Sequence, residues 1–188
     1  GRYTSLTPLA GPETPNRVKR LAAQLQDLEA QERAVTEALA GREDGSRFHF
    51  PSLDSGEVWS RWDAQDAPPD ILITNYSMLN IMLMRQIESP IFERTAEWLR
   101  QSPHHRFHLV VDELHSYRGT PGTEVAYLLR LLLHRLGLEP DSPQVRFLAS
   151  SASLEEGEAS RRYLGQFFGT DPASFALLSG EKEPPPPA

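Results

Sequence analysis

The sequence predicts an α/β domain built on a parallel sheet. Apolar runs of about four to six residues alternate with longer segments whose apolar residues recur every three or four positions. Polar side chains come at the end of three of these runs, at Thr74, Asp112 and Ser150. Because the carboxyl ends of parallel strands meet at one edge of a sheet, where ligands bind, these side chains predict a functional site.

The composition restricts the class of protein. The 188 residues are enough for one such domain with an insertion. There is no cysteine, which excludes disulfides, thiolate metal sites and a cysteine nucleophile. No apolar run approaches the roughly 20 residues that a membrane span needs, and the N-terminus is unlike a signal peptide. We therefore expect a cytoplasmic protein with no membrane partner.

The net charge of -7 argues against a generally basic surface for nucleic acid. A small local groove on an acidic protein is compatible with this charge. Of the 19 basic residues, all except Lys19 and Lys182 are arginine. Arginine suits phosphate contacts, but it is also common in high-GC coding sequences, so its abundance decides little.

The first third of the chain predicts a strand end and loop over residues 1–15, followed by an insertion over residues 16–69. A helix from Asn16 to Ala40, with Asn16 as its cap, opens the insertion. Its apolar residues form a narrow stripe, in which Glu32 takes a position where another apolar residue is expected. An irregular excursion returns to the domain. The stripe residues are Val18, Leu21, Leu25, Leu28, Val35 and Leu39.

Residues 70–180 predict the rest of the domain, and the proline-rich residues 181–188 predict a linker. The expected strands are Ile71–Thr74, Phe107–Val111, Val145–Ser150 and the candidate run 174–179. The expected helices are 77–89, 90–101, 121–136 and 153–168, with Ser77, Thr120 and Ser153 as caps and Gly137 and Gly169 as terminators.

Two adjacent carboxylates, Asp112 and Glu113, end the second strand. Neighbouring acids repel each other, so a cation between them is expected. Asp112 has the position of a Walker B aspartate, which holds Mg²⁺ through water, and Glu113 is placed to orient or deprotonate the attacking water. The alternative is a helix cap or a solvated turn that contains two acids by chance.

Longer motifs carry a resemblance. Asp112–His115 (DELH) resembles motif II of superfamily 2 helicases of the DExH type, and Val145–Ser153 resembles motif III about 35 residues later. Ile73–Leu79 resembles motif Ic, and Gly1–Thr4 resembles the end of the motif Ib strand. The run HLVVDELHSYRGTPGTEVAYLLRLLLHRLG closely resembles large bacterial DExH helicases of DNA repair and phage defence.

The resemblance implies a RecA-like (P-loop NTPase-type) domain that uses ATP and Mg²⁺ and moves on nucleic acid, which we expect to be DNA. In this interpretation Asp112 binds Mg²⁺, Glu113 activates water, and His115 couples hydrolysis to movement together with motif III. The motif III residues are Ser151, Ala152 and Ser153. The residues expected to hold the nucleic-acid backbone are Thr74, Asn75, Arg2 and Thr4.

A phosphate-binding loop is missing from the sequence. That loop needs G-x-x-x-x-G-K-[ST], and the chain contains no Gly-Lys pair. We therefore expect a C-terminal part of a first RecA-like domain, inactive alone, whose parent protein supplies the P-loop and a second RecA-like domain. Two alternatives stay open: a non-catalytic module that binds a protein through the helix 16–40, and a translocase that moves on duplex without unwinding it.

Overall fold

Helices and a pair of parallel strands form the fold, which the computed structural model describes for residues 14–40, 45–54, 56 and 58–180. A division between Ile91 and Phe92 separates two compact units. In chain order the elements are α1 (Pro15–Ala38), α2 (Arg61–Asp66), α3 (Tyr76–Met84), α4 (Ser89–Gln101), β1 (Phe107–Val111), α5 (Gly119–Arg135), β2 (Val145–Ala149) and α6 (Glu158–Phe168).

The sheet lies in the second unit. Strands β1 and β2 pair in parallel, with Phe107 opposite Val145 and Val111 opposite Ala149. Parallel neighbours need a crossover connection, which α5 supplies. The predictions of these two strands are confirmed, and β2 ends one residue earlier than expected. The α/β class is confirmed as well, and a parallel sheet flanked by helices is consistent with a partial RecA-like fold.

Helices α5 and α6 bury apolar faces in this unit. Leu133 of α5 is only 1% exposed, and the ring of Phe168 in α6 stacks on Phe147 of β2 with a centroid distance of 4.6 Å. Burying one such side chain stabilises the fold by about 1.5–3 kcal/mol, so this packing fixes β2 and its carboxyl end. The buried apolar side chains of α5 are Val125, Ala126, Leu128, Leu129, Leu132 and Leu133.

A single amide ties the amino end of β2 to α4. Gln144, which directly precedes the strand, places its side-chain nitrogen 2.9 Å from the carbonyl oxygen of Leu99, 3.1 Å from that of Ser102 and 3.2 Å from that of His105. These carbonyls belong to the end of α4 and the loop that follows it. The side chain thereby satisfies acceptors that the helix end leaves without an intrahelical partner.

The long helix α1 belongs to the first unit and fully buries none of its side chains. Its half-buried residues include the predicted stripe with Glu32 in the seam, whereas Val18 is 47% exposed. The carboxylate of Glu32 accepts hydrogen bonds from the hydroxyl of Ser52 and, at 3.1 Å, from the backbone N–H of Leu53. The seam of α1 therefore contacts the segment that returns after it.

The core of the first unit forms around α2 and α3. A capping box starts α2, in which Ser60 accepts from the backbone N–H of Asp63 at 3.1 Å and donates its own N–H to that carboxylate at 3.0 Å. Arg61, only 4% exposed, donates to the sulfur of Met78 at 3.5 Å. The buried side chains of α3 are Met78, Leu79, Met82 and Leu83.

Two predicted strands are wrong. In the run Ile71–Thr74 only Ile73 makes a β-bridge, and Ile71 and Ile73 are 71% and 61% exposed. Residues 175–180 have no regular structure, and Leu178 is 94% exposed. A short apolar run becomes a strand only where a neighbour supplies its ladder, which the run itself does not encode.

The predicted helix caps are wrong as well, although both glycine terminators are confirmed. An N-cap needs an extended backbone and a side-chain acceptor at the residue where the preceding segment ends, which composition alone does not locate. Gly137 and Gly169 take the left-handed conformation, with φ of 72° and 79°. The predicted caps were Asn16, Ser77, Thr120 and Ser153, and the observed cap positions are Thr14, Asn75, Arg118 and Gly157.

Candidate functional site

The two predicted motifs meet at the carboxyl edge of the sheet. Beyond the last strand residues the backbone pairing continues, because Ser150 donates its N–H to the carbonyl of Val111 at 3.0 Å and accepts from the N–H of Leu114 at 2.9 Å. Parallel pairing in this register places the residues that follow β1 beside those that follow β2. DELH and the serine-rich stretch are therefore neighbours.

Asp112 is exposed and has one of its two carboxylate oxygens engaged. Oδ1 accepts a short hydrogen bond from the hydroxyl of Ser150 and a second one, at 3.0 Å, from the backbone N–H of Glu113. Within the described part of the chain Oδ2 makes no hydrogen bond. The bond from Ser150 fixes the orientation of the carboxylate, and Oδ2 is left able to bind a ligand.

The donor set at Asp112 fits Mg²⁺ only as a single-carboxylate site. Among the described residues no three His, Cys, Asp or Glu side chains are grouped so that they could hold a metal ion. Mg²⁺ commonly keeps several waters and binds one or two carboxylates together with substrate phosphates. One free carboxylate oxygen is compatible with that mode and would not suit a metal bound by protein ligands alone.

Glu113 has an unusual backbone. Its φ of 53° and ψ of 44° lie in the left-handed region, and it is the sole non-glycine residue with positive φ in the ranges that the structure describes. For an L-residue this conformation costs about 1–2 kcal/mol. It opens a 3₁₀ turn over Leu114–Ser116, in which Leu114 is 0% exposed while the Glu113 side chain is 65% exposed. The turn is thus anchored by leucine and presents the glutamate outward.

His115 connects the turn to the stretch after β2. Its Nδ1 accepts from the backbone N–H of Ala152 at 3.4 Å, and its Nε2 lies 3.2 Å from a carboxylate oxygen of Glu113. Because Nδ1 accepts, the proton of a neutral imidazole lies on Nε2, the nitrogen on the side of the Glu113 carboxylate. His115 therefore lies between the glutamate and the backbone of Ala152.

The serines after β2 reach a residue that the sequence did not indicate. Ser153 places its hydroxyl 3.0 Å from the guanidinium of Arg118, and its backbone N–H donates to the hydroxyl of Ser151 at 3.4 Å. Arg118 directly precedes α5, so this bond links the end of the DELH segment to the stretch resembling motif III. The structure brings all six predicted catalytic and coupling residues into one cluster.

A tyrosine on α6 completes the contacts of the turn. The hydroxyl of Tyr163 donates to the carbonyl of Tyr117 at 2.7 Å and lies 3.5 Å from that of Leu114. Burial raises the pKa of Tyr163, against a smaller opposite effect of the Arg118 charge. The hydroxyl therefore remains protonated, and a donor, throughout the neutral range.

The comparisons with known proteins give a relative but no family. No protein-family model and no solved structure matches the chain. A curated protein of Escherichia coli (strain UMEA 4076-1) is 42% identical to it over 133 residues. The chain is similar to Druantia protein DruE. The match takes in 69% of this chain, which spans 7% of the length of DruE.

The similarity to DruE assigns no role to single residues, so the roles of the site residues stay predictions. In the first unit, Asn75 caps α3, its side-chain oxygen accepting from the N–H of Met78 at 2.8 Å. The hydroxyl of Thr74 lies 3.4 Å from the carbonyl of Asn75. Arg2 and Thr4 lie outside the described residues. The side-chain oxygen of Asn75 is therefore engaged in the cap of α3.

None of the helices that the structure describes combines the length and the apolar composition needed to cross a bilayer.

Sequence reasoning missed Arg118 and Tyr163. Both act through contacts with residues 35 and 46 positions away, and such contacts leave no local pattern. An indirect signal existed for Tyr163, because it lies one turn before the buried Phe167 on the face of α6 that packs inward.

Proposed function

We propose that the chain is part of an ATP-dependent DNA helicase or translocase motor, carrying DELH and motif III on part of a RecA-like domain. The observation that supports this most is the hydrogen-bonded contact between the two motifs, in which Ser150 binds Asp112 and Ala152 binds His115. Each motif resembles the family separately, and the edge of the sheet where they meet is where α/β domains bind nucleotides.

In this proposal Asp112 holds Mg²⁺ through its free oxygen, directly or through water. The ion, when bound, would neutralise negative charge on the ATP phosphates. Ser150 keeps the aspartate in one orientation, so the free oxygen needs no rearrangement to bind. The phosphates themselves need a P-loop, which we propose that another segment of the parent protein supplies.

Glu113 is proposed as the general base that orients and deprotonates water. One of its oxygens lies 3.2 Å from Nε2 of His115, and the side chain is 65% exposed, so the carboxylate can accept a proton from a water molecule. Ser151, Ala152 and Ser153 then connect any change at the glutamate to β2 and α6.

The nucleic acid and the wider setting are also part of the proposal. We propose that Thr74, Asn75, Arg2 and Thr4 hold the backbone of DNA and that the parent chain supplies a second RecA-like domain. The protein would act in the cytoplasm. Of the two roles that the resemblance implies, DNA repair and phage defence, the similarity to Druantia protein DruE favours phage defence.

Replacing Glu113 by glutamine in the full-length protein tests the proposal. Glutamine keeps the shape and hydrogen-bonding capacity of the side chain but removes the base, so DNA-stimulated ATP hydrolysis should fall by about a hundredfold or more while ATP still binds. Glu124→Gln, at an exposed position of α5, is the matched control and should hydrolyse ATP at the parent rate. A Glu113→Gln variant with near-parental hydrolysis would show that Glu113 is not the base.

One observation favours the second candidate, a protein-interaction module. Helix α1 runs over 24 residues without a fully buried side chain, which leaves most of its surface available. A full-length protein with no ATPase activity that lost a protein partner on deletion of residues 15–38 would support this candidate. Active hydrolysis without strand separation would instead identify a duplex translocase.

A further inference from the structure

We propose that Tyr163 is a positioning residue of this site, whose hydroxyl, reaching from α6, holds the turn that carries Glu113 and His115. The inference rests on the proposed function, because it assigns Tyr163 a role in ATP hydrolysis. The inference also goes beyond the proposed function, because α6 lies outside the stretches that resemble the helicase motifs.

The backbone conformation of the turn must be stabilised by contacts from outside the turn. Glu113 takes a left-handed conformation that side chains other than glycine adopt rarely, and such a conformation persists only when its surroundings impose it. Ser150 constrains the beginning of the turn through Asp112 and Leu114. Its end, at Tyr117, lies six residues beyond the strand and needs a separate constraint.

Tyr163 supplies that constraint. Its single hydroxyl proton is donated to the nearer carbonyl, that of Tyr117 at 2.7 Å, while the carbonyl of Leu114 lies at 3.5 Å. The rings of Tyr163 and Tyr117 both lie against Phe167, at centroid distances of 6.0 Å and 6.4 Å. The hydroxyl is thus held at the end of the turn by a packed aromatic cluster.

The first turn of α5 packs closely against the carbonyl group of Tyr117. A Cβ atom at Gly122 would lie 2.1 Å from the carbonyl oxygen of Tyr117, so glycine is needed for the helix to approach it. The carbonyl is therefore confined between α5 and the hydroxyl of Tyr163. Nearby, Arg118 bonds to Ser153, which adds a second link between the end of the turn and the stretch before α6.

The consequence is a path from α6 to the catalytic glutamate. A displacement of α6 would move the carbonyl of Tyr117, and through the short turn it would change the placement of His115 and Glu113. Because the hydroxyl of Tyr163 bonds to the backbone of the turn, its removal should alter the rate of the chemical step more than the binding of ATP.

Tyr163→Phe in the full-length protein tests this role, with Tyr127→Phe as the matched control. Phenylalanine keeps the ring packing and removes only the hydroxyl, and Tyr127 is a 68% exposed tyrosine on α5. We expect kcat for DNA-stimulated ATP hydrolysis to fall about tenfold, with the KM for ATP changed less than about twofold.

The rate of amide hydrogen exchange at residues 114–117 should rise about tenfold in Tyr163→Phe, while exchange in β1 stays unchanged. The control should match the unsubstituted protein in every measurement.

The outcomes separate the two proposals. Unchanged exchange at residues 114–117, or faster exchange with an unchanged kcat, would overturn the positioning role while leaving the motor intact. A rise in the KM for ATP at constant kcat would also overturn it, because it would indicate a binding role. If the unsubstituted protein showed no DNA-stimulated ATPase activity, the proposed function would fail, and the positioning role with it.

Discussion

Ser150 holds the candidate site together at the scale of single residues. Its backbone extends the pairing of β1 and β2, and its hydroxyl donates to Asp112 and lies 3.2 Å from the N–H of Glu113. One serine therefore contacts three successive residues of the DELH segment, counting the bond from Leu114. The orientation of the Asp112 carboxylate and the position of the Glu113 backbone depend on it.

Removing this hydroxyl should reduce activity more than stability. In Ser150→Ala the backbone bonds remain, and the loss of an exposed hydrogen bond costs about 1 kcal/mol or less of folding free energy. ATP hydrolysis by the full-length protein should fall several-fold because Asp112 is no longer fixed. Steady-state kinetics would measure the effect, and Ser116→Ala, in the same turn, is the control. Equal rates for the two variants would contradict the role given to Ser150.

The carboxylate of Glu32 should make the contact of α1 dependent on pH. The hydrogen bonds from Ser52 and Leu53, with a smaller effect of the Arg47 charge, lower the pKa of Glu32 below its ordinary value of 4.5. A lowered folded-state pKa means that the stabilisation is present above pH 4.5 and is lost as the pH falls through the folded pKa. We expect faster amide exchange in residues 45–54 in that acidic window. Glu32→Gln should abolish this dependence and Glu29→Gln should preserve it; identical pH profiles for both would contradict the assignment.

Some features of the candidate site could be predicted from the sequence, and others could not. Asp112, Glu113 and His115 were predictable as neighbours of Ser151 to Ser153, because parallel strands bring their carboxyl ends together. The left-handed backbone of Glu113 was not predictable, since glycine is the usual residue there. Arg118 and Tyr163 depend on tertiary contacts, which a single sequence does not display.

At the scale of elements, long periodic segments were predictable and short ones were not. The bounds of β1 and α4 were close to those expected, and α1 showed the predicted stripe with Glu32 in its seam. The predicted strand Ile71–Thr74 failed because a run of three apolar residues is compatible with several structures equally well. The caps failed because a cap is chosen by the backbone conformation of the residue before the helix.

The apolar stripe of α1 should stabilise the helix without contributing to the stability of the sheet. Leu25→Asp or Leu28→Asp places a charge on the half-buried face, so the helix should lose protection from hydrogen exchange while β1 keeps it. Gln24→Asp, on the exposed face, is the control and should leave both unchanged. Loss of protection in Phe107–Val111 would show that α1 is part of the core that supports the sheet, and the insertion interpretation would be wrong.

The start of α5 should tolerate no side chain at Gly122. An alanine there would overlap the carbonyl of Tyr117, so helix and turn would have to separate at a cost of about 1–3 kcal/mol. Thermal or denaturant unfolding of Gly122→Ala would measure the loss. Gly180→Ala, where a Cβ meets nothing within 4 Å, is the control. A Gly122→Ala variant as stable as the control would contradict the close approach.

At the scale of the whole molecule, the proposed function gives the chain only part of a nucleotide site. The sequence contains no G-x-x-x-x-G-K-[ST] loop, whose amides and lysine would bind the phosphates. The chain alone should therefore show no ATPase activity and at most millimolar affinity for Mg-ATP, measured by calorimetry and phosphate release. Turnover by this chain that disappeared in Glu113→Gln would contradict the idea of a divided site.

The parallel pairing of β1 with β2 also sets the order in which the site can form during synthesis. The bond from Ser150 to Asp112 joins residues 38 positions apart. At roughly 5–20 residues per second, a ribosome needs about two to eight seconds to add that stretch. During that interval the nascent DELH segment has no serine to bind and no second strand beside it. Its two acids therefore cannot take up the geometry of the site until β2 has been synthesised and has left the exit tunnel.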